Sequence, residues 1–126
     1  MKRFVLTVSL LPAAFAATPT FTKDIAPILQ EKCQECHHKG SMAPMSLVTY
    51  EETRPWAKSI RQRVITRQMP PWHIDTTVGV HQFKNDISLS QKQIDAVVAW
   101  VDAGAPMGEA KDMPAAKKWP EADEWK

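Results

Sequence analysis

The pattern with the most specific chemistry in this sequence of 126 residues consists of two cysteines and a histidine. Cys33, Cys36 and His37 lie in the run Cys-Gln-Glu-Cys-His, a C-x-x-C-H spacing that is the attachment signature of c-type haem. Two thiols three residues apart at the end of a helix lie on the same side, so both can add to the two vinyl groups of one haem. The adjacent imidazole is then left to reach the iron as the proximal ligand. The spacing therefore predicts one covalently attached haem c.

Three other uses of the cysteine pair compete with this interpretation. A thioredoxin-like redox pair lies at a helix N-terminus in a βαβ setting, whereas this pair follows a predicted helix in a chain without a strand pattern. A structural zinc ion normally takes four protein ligands, and the sequence has no second cysteine pair, only scattered histidines. A solitary disulfide would close too short a loop to contribute much stability. Haem attachment is the use that the spacing favours.

The N-terminus has the three parts of a secretory signal peptide. Lys2 and Arg3 precede an apolar stretch at 4–11 and a small-x-small cleavage site at 14–16. The apolar stretch is far shorter than the roughly 20 residues that a membrane span needs. Cleavage would remove only two basic residues, so the formal charge falls from +2 to zero. We expect an exported, periplasmic protein with no membrane span after cleavage, and the charge argues against a nucleic-acid partner.

The first of three predicted helices delivers the cysteines. It begins with Thr22 as the capping residue and runs to about Glu35, with Ile25 and Leu29 on its apolar face.

The second predicted helix begins at Thr53 or Arg54 and stops before Pro70. Its apolar stripe consists of Trp56, Ile60 and Val64. The run Met-Pro-Pro-Trp at 69–72 is predicted to be a stiff, non-helical strap, and 72–89 a long surface loop.

The third predicted helix has the clearest boundaries. Ser90 and Gln93 form a capping box, Leu89 and Ile94 can form a hydrophobic staple, and Gly104 closes the helix. Its apolar face consists of Ile94, Val97, Val98 and Val101, with Trp100 at the edge. The helical periodicities and the lack of a strand pattern predict an all-α domain over 17–106. A tail rich in proline and charge follows at 107–126 and is a poor core candidate, although Trp119 and Trp125 argue against plain disorder.

Over about residues 21–106 the sequence resembles the small mono-haem class I cytochromes c, in particular those linked to copper-monooxygenase-like periplasmic enzymes. Three stretches carry the resemblance. The first is Phe-Thr-Lys-Asp-Ile at 21–25, which leads into the C-x-x-C-H, and the second is Met-Pro-Pro-Trp at 69–72. The third is the helix that begins after Leu-Ser at 89–90 and ends with Trp-Val-Asp-Ala-Gly-Ala-Pro at 100–106. It implies the class I cytochrome c fold, with about three main helices and long loops around one haem. It also implies that the first and last helices cross, which here would pack Ile25 and Leu29 against Val97, Trp100 and Val101.

The resemblance places the distal iron ligand at Met69, in the Met-Pro segment. A double proline limits the freedom of this segment and so can hold a weak thioether near iron at low entropic cost. Met45 and Met42 are the next candidates. His73 and His81, in the long loop, represent the bis-histidine or vacant-site alternatives.

Three further residues are candidates for the haem edge or the propionates. Trp72 can pack on the haem edge or donate its indole N–H to a propionate, or it can be an ordinary core residue. Arg63 and Arg67, one turn apart, can pair with propionates or simply be solvated. The charged row formed by Arg54, Lys58 and Arg61 is either plain surface or a docking site for an acidic redox partner.

Histidine and methionine together favour Fe(II), and an iron with both ligands has no open position for a substrate. The sequence therefore predicts a single-electron carrier, not a catalyst, which acts as a monomer or in transient complexes with redox proteins. The alternatives are a haem enzyme or gas sensor with a vacant or labile sixth position, or an electron-donor subunit that docks on a larger redox enzyme through the tail. The sequence leaves open whether the chain is a truncated form of a larger enzyme.

Overall fold

The computed structural model describes residues 17–72, 74–75, 77–79 and 82–119. The predicted signal peptide at 1–16, the alternative ligands His73 and His81, and Trp125 lie outside the described residues. The described chain is helical and contains no β-strand, which confirms the all-α prediction for these ranges. None of its helices combines the length and the apolar character that crossing a membrane requires.

The first helical segment begins with a π turn at Phe21–Ile25 and continues as α1, Ala26–Lys32. Thr22 is buried and is not the cap, contrary to the prediction. Instead Thr20 occupies the capping position, and its amide donates to the Asp24 carboxylate at 2.7 Å. The helix also ends earlier than predicted, because the amides of Cys33 and Gln34 both donate to the Leu29 carbonyl and the chain then turns.

The second segment consists of α2 (Tyr50–Thr53), a 3₁₀ turn (Arg54–Trp56) and α3 (Ala57–Ile65). It begins before the predicted start, because Thr49 and Glu52 form a capping box. The predicted stop before Pro70 is confirmed. The predicted apolar stripe is wrong at its first position, since Trp56 is 43% exposed, whereas Ala57 and Val64 are buried.

The last helix, α4 (Gln91–Asp102), has the predicted boundaries. Ser90 accepts from the Gln93 amide at 3.3 Å, and the Gln93 side chain accepts from the Ser90 amide at 2.9 Å, which confirms the capping box. Gly104 has φ +90° and closes the helix in a Schellman motif, since its amide donates to Val101 and the Ala105 amide to Trp100. A left-handed residue at this position favours glycine.

The core forms where α4 packs against α3 and against the π turn. Trp100, predicted at the helix edge, is fully buried at this junction, with its ring centroid 6.1 Å from that of Phe21. Its indole N–H and the Phe21 amide both donate to the Pro106 carbonyl at 2.9 Å. The predicted partners Ile25, Leu29, Val97 and Trp100 belong to this one buried cluster. The first and last helical segments therefore meet through the π turn.

The tail returns along α1 as far as residue 119. Its 3₁₀ turn, Ala110–Asp112, packs against the π turn, and Met113 packs against the core, so the tail contributes more to the interior than its composition predicted. Further along, Lys117 donates to the Gln30 carbonyl at 2.6 Å. The Trp119 ring stacks on His38 with centroids 4.8 Å apart and planes 5° from parallel. The described part of the tail is thus bound to its own chain.

Candidate functional site

The two cysteines lie on a single turn that follows α1. The amides of Cys36 and His37 both donate to the Cys33 carbonyl, at 3.2 and 3.0 Å, which brings the residues of the motif together. Both cysteines are free thiols and partly exposed. Burial raises the pKa of the Cys33 thiol to about 12, and the nearby Cys36 adds like-charge repulsion. Cys33 is therefore a protonated thiol at neutral pH, packed against the core.

The His37 ring is held by a backbone carbonyl. Its Nδ1 lies 3.1 Å from the Met45 carbonyl oxygen. Because a carbonyl can only accept, Nδ1 carries the proton, and Nε2 keeps the lone pair with which a neutral imidazole binds a metal ion. Histidines that bind metals typically have this second hydrogen bond, which fixes the ring orientation and raises the basicity of the ligand.

A short loop at 43–47 wraps this turn. The Ala43 amide donates to the Cys36 carbonyl at 3.1 Å, and the Leu47 amide donates to the His37 carbonyl at 2.9 Å. The buried Gln34 side chain donates to the Leu47 carbonyl at 3.0 Å. The sequence pattern assigns no role to Gln34 or Leu47. Nothing in the local pattern predicts a contact between these two residues, which lie thirteen positions apart.

A cavity of about 460 Å³ brings together three of the predicted site residues. Arg67, Met69 and Trp72 all line it, and most of the other lining residues are of apolar type. The other lining residues are Val64, Pro70, Ile74, Ser88, Leu89 and Ile94. This volume lies within the 300–1,000 Å³ range that is usual for small-molecule and cofactor sites. Cys33, Cys36 and His37 are not among the lining residues.

Two of the predicted site residues at this cavity are hydrogen-bond donors. The Trp72 indole N–H is buried and has no acceptor among the described residues, although the Phe83 ring packs edge-on at 5.8 Å. Arg67 donates to the Leu89 carbonyl at 3.3 Å and to the Gln91 side chain at 3.1 Å. A buried donor without an acceptor is costly, and a bound acceptor would relieve that cost.

The remaining candidates occupy different environments. Met42 is 87% exposed, whereas Met69 is 43% exposed at the cavity. Met45 packs against the core, and its carbonyl accepts from His37. Arg63 is exposed, donates to the Gln68 side chain and does not line the cavity.

The charged row on the second segment is interrupted. Arg61 forms a two-point ion pair with Asp102, with N–O distances of 2.9 and 3.3 Å. Arg54 and Lys58 are exposed. The row therefore offers two cations to a partner, not the three that the sequence suggested.

Two further observations bear on the site. A second, more open groove of about 680 Å³ lies between α1 and α4 and is lined by side chains of both charges, among them Lys32 and Asp86. In the parts of the chain that the structure describes, no three His, Cys, Asp or Glu side chains gather closely enough to hold a metal ion.

Comparisons with protein-family models, with curated proteins and with solved structures find no match to this chain.

Proposed function

We propose that this chain is a periplasmic single-electron carrier with a class I cytochrome c fold. One haem c is attached through Cys33 and Cys36, with His37 as the proximal iron ligand and Met69 as the distal ligand. Its partners are redox proteins that it meets in transient complexes.

The hydrogen bond from His37 Nδ1 to the Met45 carbonyl is the observation that carries this proposal. It leaves Nε2 as the free lone pair of a ring whose orientation is already fixed, in the residue directly after a C-x-x-C pair. The next residue, His38, has a similar contact with the Lys39 carbonyl at 3.0 Å, so the contact indicates an iron ligand at His37 only together with the cysteine pair that precedes it. The single turn that holds both thiols supports the same conclusion.

The cysteines have the chemistry that thioether attachment requires. Cys33 and Cys36 would hold the haem through two thioethers. Addition of each S–H across a vinyl C=C bond would join the sulfur to one carbon and place the hydrogen on the other, so no oxidant would be consumed. Cys33 is packed against the core, and both side chains retain some exposure. The chain thus presents two thiols that do not form a disulfide with each other.

The cavity supports the distal half of the proposal. It is lined by aliphatic side chains together with Arg67 and Ser88, and Met69 brings a thioether to its edge. Trp72 has a buried N–H without an acceptor in the described chain, and Arg67 contributes a cation. These two donors suit a carboxylate such as a haem propionate. When bound, the haem supplies an iron that gains and loses one electron, and His/Met ligation favours the reduced state.

The first test is whether the haem is covalent. The full chain, produced with haem c maturation, is denatured in alkaline pyridine and its reduced spectrum is recorded. We expect the spectrum of a haem joined by two thioethers, and acid–acetone extraction should leave the colour with the protein. A colourless protein, or haem that is extracted, would overturn the proposed function.

The second test is Met69→Ala in the haem-loaded protein. Loss of the thioether should lower the midpoint potential on the order of 0.1 V, within the range of about 0.8 V that axial ligands span. Met42→Ala is the matched control, because that side chain is 87% exposed and its loss should leave potential and spectrum unchanged. Equal spectra for Met69→Ala and wild type would show that another residue is the ligand. Immediate, complete binding of carbon monoxide by reduced wild type would instead favour a vacant sixth position.

A further inference from the structure

A glutamine lies buried between the two cysteines. Gln34 is 1% exposed, whereas its neighbour Glu35 is exposed. Burying an amide side chain is costly unless hydrogen bonds replace those to water. The contacts of the Gln34 amide therefore indicate what its burial achieves.

The Gln34 amide holds the loop at 43–47 from one side. Its Nε2 donates to the Leu47 carbonyl at 3.0 Å, while the Leu47 amide donates to the His37 carbonyl at 2.9 Å. Leu47 is itself 3% exposed within the core. Both polar groups of the Leu47 backbone are thus fixed to the cysteine–histidine turn.

The same loop orients the imidazole. Met45, two residues before Leu47, offers the carbonyl that accepts from His37 Nδ1 at 3.1 Å. A shift of Leu47 would carry the Met45 carbonyl with it, because only one residue separates them. The contact between Gln34 and Leu47 is therefore connected to the His37 ring through a short, hydrogen-bonded segment.

The other end of the amide is unpaired. Gln34 Oε1 is buried and has no donor among the described residues. The amide cannot rotate to exchange its two ends, because the Leu47 carbonyl accepts only from the NH₂ group. An apolar side chain would remove the unpaired oxygen, but it would also leave the buried Leu47 carbonyl without its donor, which is costly. What the amide gains by its burial is therefore the contact with Leu47.

We propose that Gln34 is a positioning residue for His37, which acts through Leu47 and the Met45 carbonyl. The inference rests on the proposed function, since it concerns the orientation of the proximal ligand. Gln34 keeps the Nδ1–H hydrogen bond short and so maintains the basicity of the imidazole. A more basic ligand stabilises the oxidised iron, so weakening that bond should raise the midpoint potential.

The test uses Gln34→Met in the haem-loaded full chain, because methionine has a similar length but no donor. We expect the Nδ1 proton of His37 to exchange with solvent faster, by up to about tenfold, the factor that corresponds to complete loss of a hydrogen bond of ordinary strength. The midpoint potential should rise. The unfolding midpoint should fall, because the buried Leu47 carbonyl loses its donor. The proton exchange and the potential, not the loss of stability, separate a positioning role from a merely structural one.

Gln30→Met is the matched control. The Gln30 side chain also donates to a backbone carbonyl at 3.0 Å, that of Ala115, but at an exposed site on α1. This variant should leave the exchange of the His37 proton and the potential unchanged. If Gln34→Met also leaves both unchanged while the haem remains attached, the inference is wrong and the proposed function stands.

A measurement on wild type covers the case in which Gln34→Met does not fold. A through-hydrogen-bond NMR coupling between the Gln34 side-chain nitrogen and the Leu47 carbonyl carbon should be detectable, and its absence would overturn the inference. A wild-type protein without covalent haem would overturn the proposed function and this inference together.

Discussion

Replacement of Trp100 by phenylalanine tests how the first and last helical segments are joined. Trp100 is fully buried, and its indole N–H donates to the Pro106 carbonyl at 2.9 Å. The Phe21 amide donates to the same carbonyl, so Trp100→Phe leaves that oxygen with one partner. The lost hydrogen bond should then cost only about 1 kcal/mol.

The smaller ring adds a packing cost. Phenylalanine lacks the atoms of the second indole ring, which correspond to roughly two buried CH₂ groups, or about 1.5 kcal/mol. Incomplete collapse around the residual cavity adds a few tenths more. We therefore expect Trp100→Phe to lower the free energy of unfolding by about 2–3 kcal/mol.

Urea unfolding followed by far-ultraviolet circular dichroism measures this loss without relying on tryptophan fluorescence. Wild type and variant should have the same slope of unfolding free energy against urea concentration, so the difference in stability follows from the shift in the urea midpoint. Trp56→Phe is the control, because Trp56 is 43% exposed and its replacement should cost about 0.5 kcal/mol or less. Equal losses in the two variants would refute the assignment of Trp100 to the centre of the core.

Two further predictions concern backbone conformation and pH. Gly104→Ala should lower the free energy of unfolding by about 1–2 kcal/mol in the same assay, because a φ of +90° strains an L-residue. The loss should come from this backbone strain alone, since nothing among the described residues lies within 4 Å of the added methyl group. An unchanged unfolding midpoint would argue against the left-handed cap. Folding raises the pKa of the Cys33 thiol from 9.0 to about 12, so between these two pH values the unfolded chain has lost this proton while the folded chain keeps it. The free energy of unfolding of the haem-free protein should therefore fall as the pH rises from 9 to 12. Cys33→Ala should flatten that part of the pH profile, and a profile identical to wild type would contradict the burial of this thiol.

The features that the sequence predicts best are local. Ser90 and Gln93, which form the capping box of α4, are three residues apart. Gly104, which ends α4, bonds only to residues of the last helical turn. In both cases a short stretch of sequence contains all the interacting partners. The cap formed by Thr49 and Glu52 is equally local and has the same spacing. Its signal was present in the sequence, but the helix was predicted to start later, at Thr53 or Arg54, because Pro55 is favourable in the first turn of a helix.

The stripe on the second helix failed for a geometric reason. A 3₁₀ turn precedes α3, and its tighter winding rotates Trp56 relative to the residues that follow. Counting from Trp56 at the α-helical period therefore placed an exposed residue on the buried face. Ala57 takes the buried position instead.

The candidate site was predicted only as a set of residues. The C-x-x-C-H spacing identified Cys33, Cys36 and His37, but the carbonyl that holds the ring and the amide that holds its loop come from tertiary contacts. The packing of the tail depends on similar contacts, such as that of Lys117 with Gln30. Composition cannot reveal interactions between segments so far apart in the chain.

The hydrogen bonds at the two ends of the helical core have an architectural consequence. The amides of Phe21 and Thr22 donate to the carbonyls of Pro106 and Met107, each at 2.9 Å, so the start of the first helical segment is paired with the chain just after α4. Beyond this pairing the tail contacts the rest of the chain again, since Met113 packs against the core and Lys117 donates to the Gln30 carbonyl. A chain shortened after residue 107 would therefore keep the pairing but lose the contacts of the tail, so that the two can be weakened separately.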